Sequence, residues 1–275
     1  MKTTFEFKGQ ENIAYVYTGT KALNLAQPSI VFIHGAQHDH SVWILQSRYL
    51  AHHGYNVIAV DLPGHGKSSG APLTSVQENA QWLIALVTAL KVSQCHWIGH
   101  SMGSLIALEA GAMRPDLTAS LGLIGTAFPM RVSEALLSAA QTNEAQAFDM
   151  INFWSHSRLS HQPGAPGPGF SVFMQNRRLM ERQSKGVLYT DFNACNAYDN
   201  GLLAAAKIQA PTTLILGAND AMTPPKAARE LASNIKNCST TIIEDCGHAL
   251  MSERPDRVLQ VLKTHLGQAR TKSAL

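Results

Sequence analysis

The sequence lacks a hydrophobic run long enough to cross a bilayer. Its longest apolar stretches, such as 82–90 with Thr88 inside it, fall far short of the roughly 20 residues a membrane helix needs. The first residues, Met1-Lys2-Thr3-Thr4-Phe5-Glu6-Phe7-Lys8, hold no apolar secretion core and alternate as a strand does. A cytoplasmic protein with no membrane partner is expected. Cysteine is scarce. The four residues, Cys95, Cys195, Cys238 and Cys246, form no CxxC pair and no zinc-like spacing, and are expected as free thiols. Charge is also sparse: 15% of residues are charged and the net charge is +3. Apart from Arg177-Arg178 there is no Lys/Arg-rich run, which argues against a nucleic-acid partner.

What the sequence does have is apolar bulk. Hydrophobic residues make up 45% of 275, enough for a large core around a single sheet. No internal repeat is evident. Two short alternating segments, 5–7 and 13–17, read as antiparallel strands with Gly9 near the turn. Runs rich in β-branched and apolar residues follow at 29–33, 56–60, 96–98, 121–124, 212–216 and 240–243. Such runs mark strands buried on both faces of a parallel sheet. Segments with apolar residues at helical spacing lie between them, at 42–53, 76–90, 104–113, 224–235 and 257–266. This alternation predicts an α/β protein with a mostly parallel central sheet flanked by helices on both faces.

The alternation breaks between Phe128 and about Lys207. There the pattern is helical, over 133–147, 148–156, 170–183 and 187–200, with Ser133 as an N-cap. A Pro/Gly stretch at 162–169 divides it and reads as a loop or hinge. The expected division is a core of 1–127 and 208–275 with a helical cap insertion of 128–207.

Gly99-His100-Ser101-Met102-Gly103 matches G-x-S-x-G between an expected strand and an expected helix. In that context the central serine sits on a sharp turn with its side chain exposed. The helix N-terminus beyond it favours a developing negative charge. A hydroxyl needs a base to become a nucleophile. Of 12 histidines, His248 follows the last strand, on the edge where the carboxyl ends of parallel strands converge. The acid that orients the base is expected after another strand, between serine and histidine in the chain. Asp220, after Leu214-Ile215-Leu216-Gly217-Ala218-Asn219, fits; Asp245 is too near His248, and the loop Gly125-Thr126-Ala127 offers no carboxylate. The expected oxyanion donors are the backbone N–H groups of Ala36 and Met102.

These residues resemble the α/β-hydrolase superfamily, in its single-domain, capped, esterase-like branch. The likeness spans nearly the whole chain: His34-Gly35 with Trp43 downstream, Asp61-Leu62-Pro63-Gly64-His65-Gly66-Lys67-Ser68, the Ser101 motif, Asn219-Asp220 with Thr223-Pro224, and Gly247-His248 before Pro255. The resemblance implies the α/β-hydrolase fold, no cofactor, and hydrolysis of a small-molecule ester through an acyl-enzyme. Dehalogenases and epoxide hydrolases of this fold carry Asp where this chain has Ser101. The short Gly35-Ala36-Gln37 loop is unlike that of proline iminopeptidases. Carbon–carbon bond hydrolases, perhydrolases and thioesterases share the triad, and slow-turnover ligand-binding homologues share the fold; no substrate signature in the sequence selects among them, and nothing sets an oligomeric state.

For the substrate pocket the apolar candidates are Trp43, Met102, Phe128, Met130, Phe153, Trp154, Phe173, Met174 and Leu250, with His34 nearby in the loop after its strand. His65 reads as a local packing residue. Arg177, Arg178 and Arg182 read as a solvated helix face. His38-Asp39-His40 has two imidazoles beside a carboxylate, but no third or fourth ligand stands out. No metal is expected, and substrate contact is the better functional reading of that loop.

Overall fold

A computed structural model describes residues 1–161 and 171–273. The eight strands are β1 (Lys2–Phe7), β2 (Gln10–Tyr17), β3 (Ser29–Ile33), β4 (Asn56–Val60), β5 (Cys95–His100), β6 (Thr118–Ile124), β7 (Thr212–Gly217) and β8 (Cys238–Ile243). They form one sheet in the order β1-β2-β4-β3-β5-β6-β7-β8. β1 and β2 pair antiparallel, as does β2 with β4; every later pairing is parallel. Every residue of β3, β4, β5 and β7 is buried, which is why these strands read as unbroken apolar runs.

Helices cover both faces. α1 (Ile44–Ala51) and α11 (Pro255–Ser273) lie on one, α2 (Val76–Ala89) and α3 (Met102–Met113) on the other. Ile30, Phe32, Trp43, Ile98, Ile215 and Leu262 form the core beneath the first pair. Val31, Ile33, Leu83, Trp97, Ile106 and Leu214 form the larger core beneath the second. Ser75 opens α2 by accepting the Glu78 N–H. α9 (Arg229–Asn234) is shorter than the expected 224–235 helix, because its first turn is a 3-10 turn at Pro225–Ala228.

Between β6 and β7 the chain forms α4 (Glu134–Thr142), α5 (Glu144–Ser155), α6 (Val172–Glu181), α7 (Val187–Ala197) and α8 (Gly201–Lys207). Ser133 caps α4, accepting the Leu136 N–H. The expected helix over 133–147 is broken at Asn143, whose non-helical backbone (φ −149°, ψ 76°) ends α4 and whose side chain caps α5 at Gln146 N–H. Leu136, Phe148, Ile151, Met180, Leu188 and Phe192 give α4–α7 an apolar cluster of their own, on which Ala36 and Met222 pack. α8 was not expected. Its Ala204 and Ala205 belong to the larger core, so this part of the stretch packs on α3. The Pro/Gly segment 162–169 lies outside the described residues. Among the described residues, no helix is long and apolar enough to cross a membrane, and all four cysteines are free.

The parallel register positions the site. Ile33 pairs with Gly99, His100 with Ile124, Ile124 with Ile215, and Gly217 with Ile243. The loops after β3, β5, β6, β7 and β8 therefore leave the sheet side by side at one edge.

Candidate active site

Ser101 stands at the junction of β5 and α3 with φ 53° and ψ −120°, a strained conformation for a residue with a side chain. The surroundings enforce it. Its N–H donates to Ile124 O at 2.9 Å, and its carbonyl accepts from the Ser104 N–H at 2.8 Å and Ser104 Oγ at 2.6 Å. The turn closes so tightly that a Cβ on Gly99 would lie 2.0 Å from Gly103 O, and one on Gly103 would lie 2.3 Å from Ile33 O. The two flanking glycines are thus required by strand–helix contact. Met102 begins α3, where a helix N–H has no partner in its own helix.

His248 and Asp220 meet at the same edge. His248 Nδ1 lies 2.7 Å from Asp220 Oδ2, both residues buried. Asp220 Oδ1 accepts the N–H groups of Met222 and Thr223, each at 2.8 Å. Thr223 Oγ1 sits 2.8 Å from Asp220 Oδ2, 3.0 Å from Gly125 O and 3.0 Å from His248 Nδ1. The carboxylate is therefore locked and holds the proton on Nδ1, leaving Nε2 with a lone pair. The ring also packs over Gly125, where a Cβ would come within 3.1 Å of His248 Cε1 and Nδ1.

Two further groups hold the His248 loop. His100 Nε2 donates to His248 O at 2.9 Å. Burial, with His248 nearby, pushes the His100 imidazole well below its usual range, so it acts as a neutral donor. Glu253 is buried and accepts the Gly247 N–H at 2.7 Å on one oxygen; the other takes Ser157 N–H and Oγ at 2.8 Å and Ser160 Oγ at 2.5 Å. The sequence gives no holding role to His100, Glu253 or Thr223. The only local signal is for Thr223, three residues past a buried Asp, the spacing of a side chain that caps its own turn.

The loop after β3 carries Ala36. His34 is fully buried: Nδ1 donates to Gly35 O at 2.8 Å and Nε2 accepts the Leu62 N–H at 3.1 Å. That pattern requires a neutral ring. Burial, helped by the nearby His65, lowers its pKa to about 4. His34 joins the ends of β3 and β4 and does not line the cavity beside the site.

That cavity, of about 460 Å³, is walled by Val42, Ile44, Leu45, Val172, Leu179 and Met251, with His38, His100 and His248 at its polar side. None of the ten pocket candidates named from sequence lines it. Trp43 and Leu250 are fully buried in the core under α1 and α11. Phe128 packs on Tyr198 and against Gly201. Trp154 packs on the α4–α7 cluster, and Met174 is 48% exposed. All but the exposed Met174 serve packing, and helical spacing does not distinguish a wall from a core.

His38-Asp39-His40 also resolves differently from its reading as a unit. Asp39 and His40 gather with Asp61, each offering a ligand atom within 4.8 Å of the others. Their oxygens are occupied by the protein itself. Asp61 accepts from His40 Nδ1 at 2.7 Å, the His40 N–H at 2.8 Å and the Lys67 N–H at 2.9 Å. Asp39 accepts from Ser41, Arg182 and Gln183. Burial opposes its charge, but the Ser41 bonds and the Arg182 guanidinium hold its carboxyl at about 2. Arg182 is thus a tie from α6 to this loop, and not only a solvated residue.

A model of the alpha/beta hydrolase family matches residues 30–261. The chain is 25% identical over 248 residues to (E)-2-((N-methylformamido)methylene)succinate hydrolase of Acinetobacter baylyi, covering 86% of this chain and 89% of that protein. It is 25% identical over 256 residues to monoacylglycerol lipase ABHD6 of Bos taurus, covering 86% and 74%. In fold it is similar to an esterase from Exiguobacterium antarcticum, with a TM-score of 0.84, 19% identity, and coverage of 97% and 100%. With this match across most of its length, and a sheet that brings serine, histidine and carboxylate loops to one edge, the chain belongs to the alpha/beta hydrolase family and is a hydrolytic enzyme.

Proposed function

We propose that the chain is a serine esterase acting on uncharged carboxylic esters of small to medium size. The observation that carries this is the Asp220–His248 pair at 2.7 Å, at the same sheet edge as a serine held at φ 53° by the turn between β5 and α3. Ser101 Oγ attacks the ester carbonyl while His248 Nε2 takes its proton. The N–H groups of Ala36 and Met102 hold the oxyanion. The carbon–oxygen bond to the alcohol then breaks, and His248 gives its proton to the departing alcohol. Water, deprotonated by His248, attacks the acyl-enzyme; the serine leaves, recovers its proton and releases the acid. Asp220 keeps His248 in the Nδ1–H tautomer and stabilises the imidazolium without taking the proton.

The cavity supports the ester reading. A volume of about 460 Å³ with a mostly apolar surface, edged by polar side chains such as Ser155, Gln175 and Ser252, suits a neutral acyl or alcohol group. Arg178 and Arg182 at its rim are paired with Glu181 and Asp39, so neither presents an unpaired charge. Helices α4–α7, packed over Ala36 and Met222, act as the cap that closes the site.

Hydrolysis of a p-nitrophenyl ester series by wild type and Ser101→Ala tests this. Wild type is expected to hydrolyse short and medium acyl chains, with Ser101→Ala down by about 10³-fold or more. A fluorophosphonate is expected to label wild type alone. Retained esterase activity in Ser101→Ala would overturn the mechanism.

A further inference from the structure

The buried carboxylate of Asp191, on α7, has no part in the chemistry described so far. Its Oδ2 accepts the Gln37 N–H at 2.8 Å and His65 Nε2–H at 2.9 Å. Both Asp191 and His65 are 2% exposed. His65 donates its other nitrogen, Nδ1, to Pro63 O at 2.9 Å. With an acceptor at each nitrogen, the ring carries both protons and is the cation of a buried ion pair. Burial alone would lower the His65 pKa, but the Asp191 charge and hydrogen bond outweigh it and raise it.

The peptide that Asp191 grips is next to the one that matters. The unit between Ala36 and Gln37 follows directly on the N–H of Ala36. It is held at both ends. His38 Nδ1 donates to Ala36 O at 2.6 Å, and His38 Nε2 meets Asn176 Oδ1 of α6 at 2.9 Å. Asp191 takes the N–H at the other end. The Gln37 side chain is tied as well, its Nε2 donating to Met180 O of α6 at 3.1 Å. Gln37 itself has φ 57°, a left-handed conformation a glutamine adopts only when its surroundings impose it. All these anchors come from helices inserted between β6 and β7, or from side chains that those helices hold.

We infer that Asp191 is a positioning residue for the oxyanion hole: through the Gln37 N–H it fixes the Ala36–Gln37 peptide, and so aims the Ala36 N–H at the substrate carbonyl. His65 holds the carboxylate in place through its Nε2–H hydrogen bond. The inserted helices then do more than cover the site, because docking α6 and α7 completes it. The inference rests on the proposed function, in which the Ala36 N–H is an oxyanion donor.

The test uses the full chain with Asp191→Ala, Asp191→Asn and Ser101→Ala, reading kcat and KM on a p-nitrophenyl ester and the rate of fluorophosphonate labelling. Asp191→Ala removes the acceptor. It is expected to lower kcat by about 10- to 100-fold, a fraction of the 10²–10³ that losing a whole oxyanion donor costs, with KM within about 3-fold. Labelling is expected to slow in parallel. Asp191→Asn keeps an oxygen for Gln37 while losing the charge, and is expected to recover most of kcat. A folded Asp191→Ala with wild-type kcat, or a loss confined to KM, would overturn the inference. So would equal loss of kcat in both variants. If Asp191→Ala does not fold, Asp191→Glu displaces the acceptor by one methylene and carries the same test, wild-type kcat again overturning it. Labelling that persists in Ser101→Ala would instead show that the serine reading has failed.

Discussion

Replacing Asp220 by asparagine alters the candidate site with little change of shape, and the structure dictates the result. Asp220 Oδ1 accepts two backbone N–H groups, from Met222 and Thr223, each at 2.8 Å. In the variant the amide oxygen must take that position. Placing the NH2 there would leave two donors facing two donors, at a cost of about 1–3 kcal/mol for each buried group. The NH2 therefore falls where Oδ2 was, 2.7 Å from His248 Nδ1. A donor there requires a lone pair on Nδ1, so the histidine proton moves to Nε2. The ring can then no longer accept the serine proton. The expected loss in kcat is about 10⁴-fold, or roughly 5.5 kcal/mol. The fold should remain, because the amide is buried with its hydrogen bonds satisfied. Steady-state kinetics on the best p-nitrophenyl ester, with thermal unfolding on the same samples, measures both. A folded Asp220→Asn within tenfold of wild-type kcat would refute the assignment of Asp220 as the group that sets the tautomer.

Two other perturbations test the fold. A methyl group on Gly99 would sit 2.0 Å from Gly103 O, against backbone that cannot give way. Gly99→Ala is expected to cost about 3 kcal/mol or more, lowering the melting temperature by roughly 6–12 °C; an unchanged melt would show that the turn is looser than described. His265 is buried on α11 with no partner for Nε2 among the described residues, and burial lowers its pKa from 6.5 to about 4. The unfolded chain binds this proton first, so stability falls as pH drops from about 6.5 through 4. The expected difference at pH 5 is about 2 kcal/mol. His265→Leu should flatten the stability profile between pH 7 and 4 in denaturant titrations, and an identical slope in wild type would count against a neutral buried ring.

Much of this protein was legible locally. A strand buried on both faces must be an unbroken apolar run, so β3, β4, β5 and β7 stood out within two residues of their ends. The nucleophile turn was equally visible, because contact between strand and helix forces glycine at 99 and 103. The insertion was read less well. Periodicity alone carries a helix through Asn143, although an Asn before Glu is a good cap, and the three alanines of α8 mark no face. The residues that line the cavity beside the site are hard to read locally for a related reason. Large apolar residues such as Trp43 and Leu250 show that something is buried, not which side of the sheet buries it.

The polar partners were out of reach for a different reason. His100 meets His248 across 148 positions, Glu253 meets Ser157 across 96, and Asp191 meets Gln37 across 154. Asp191 carried one faint signal: an acid between Leu188 and Phe192 on the apolar side of a helix must find a buried donor. The sequence by itself determined the sheet and the turn at Ser101, because both follow from short-range sterics and hydrophobic periodicity. Only the tertiary structure decided which helices wall the cavity and which carboxylates hold the loops. Those depend on where distant segments dock, and a buried polar group reveals its role only once its partner is in contact.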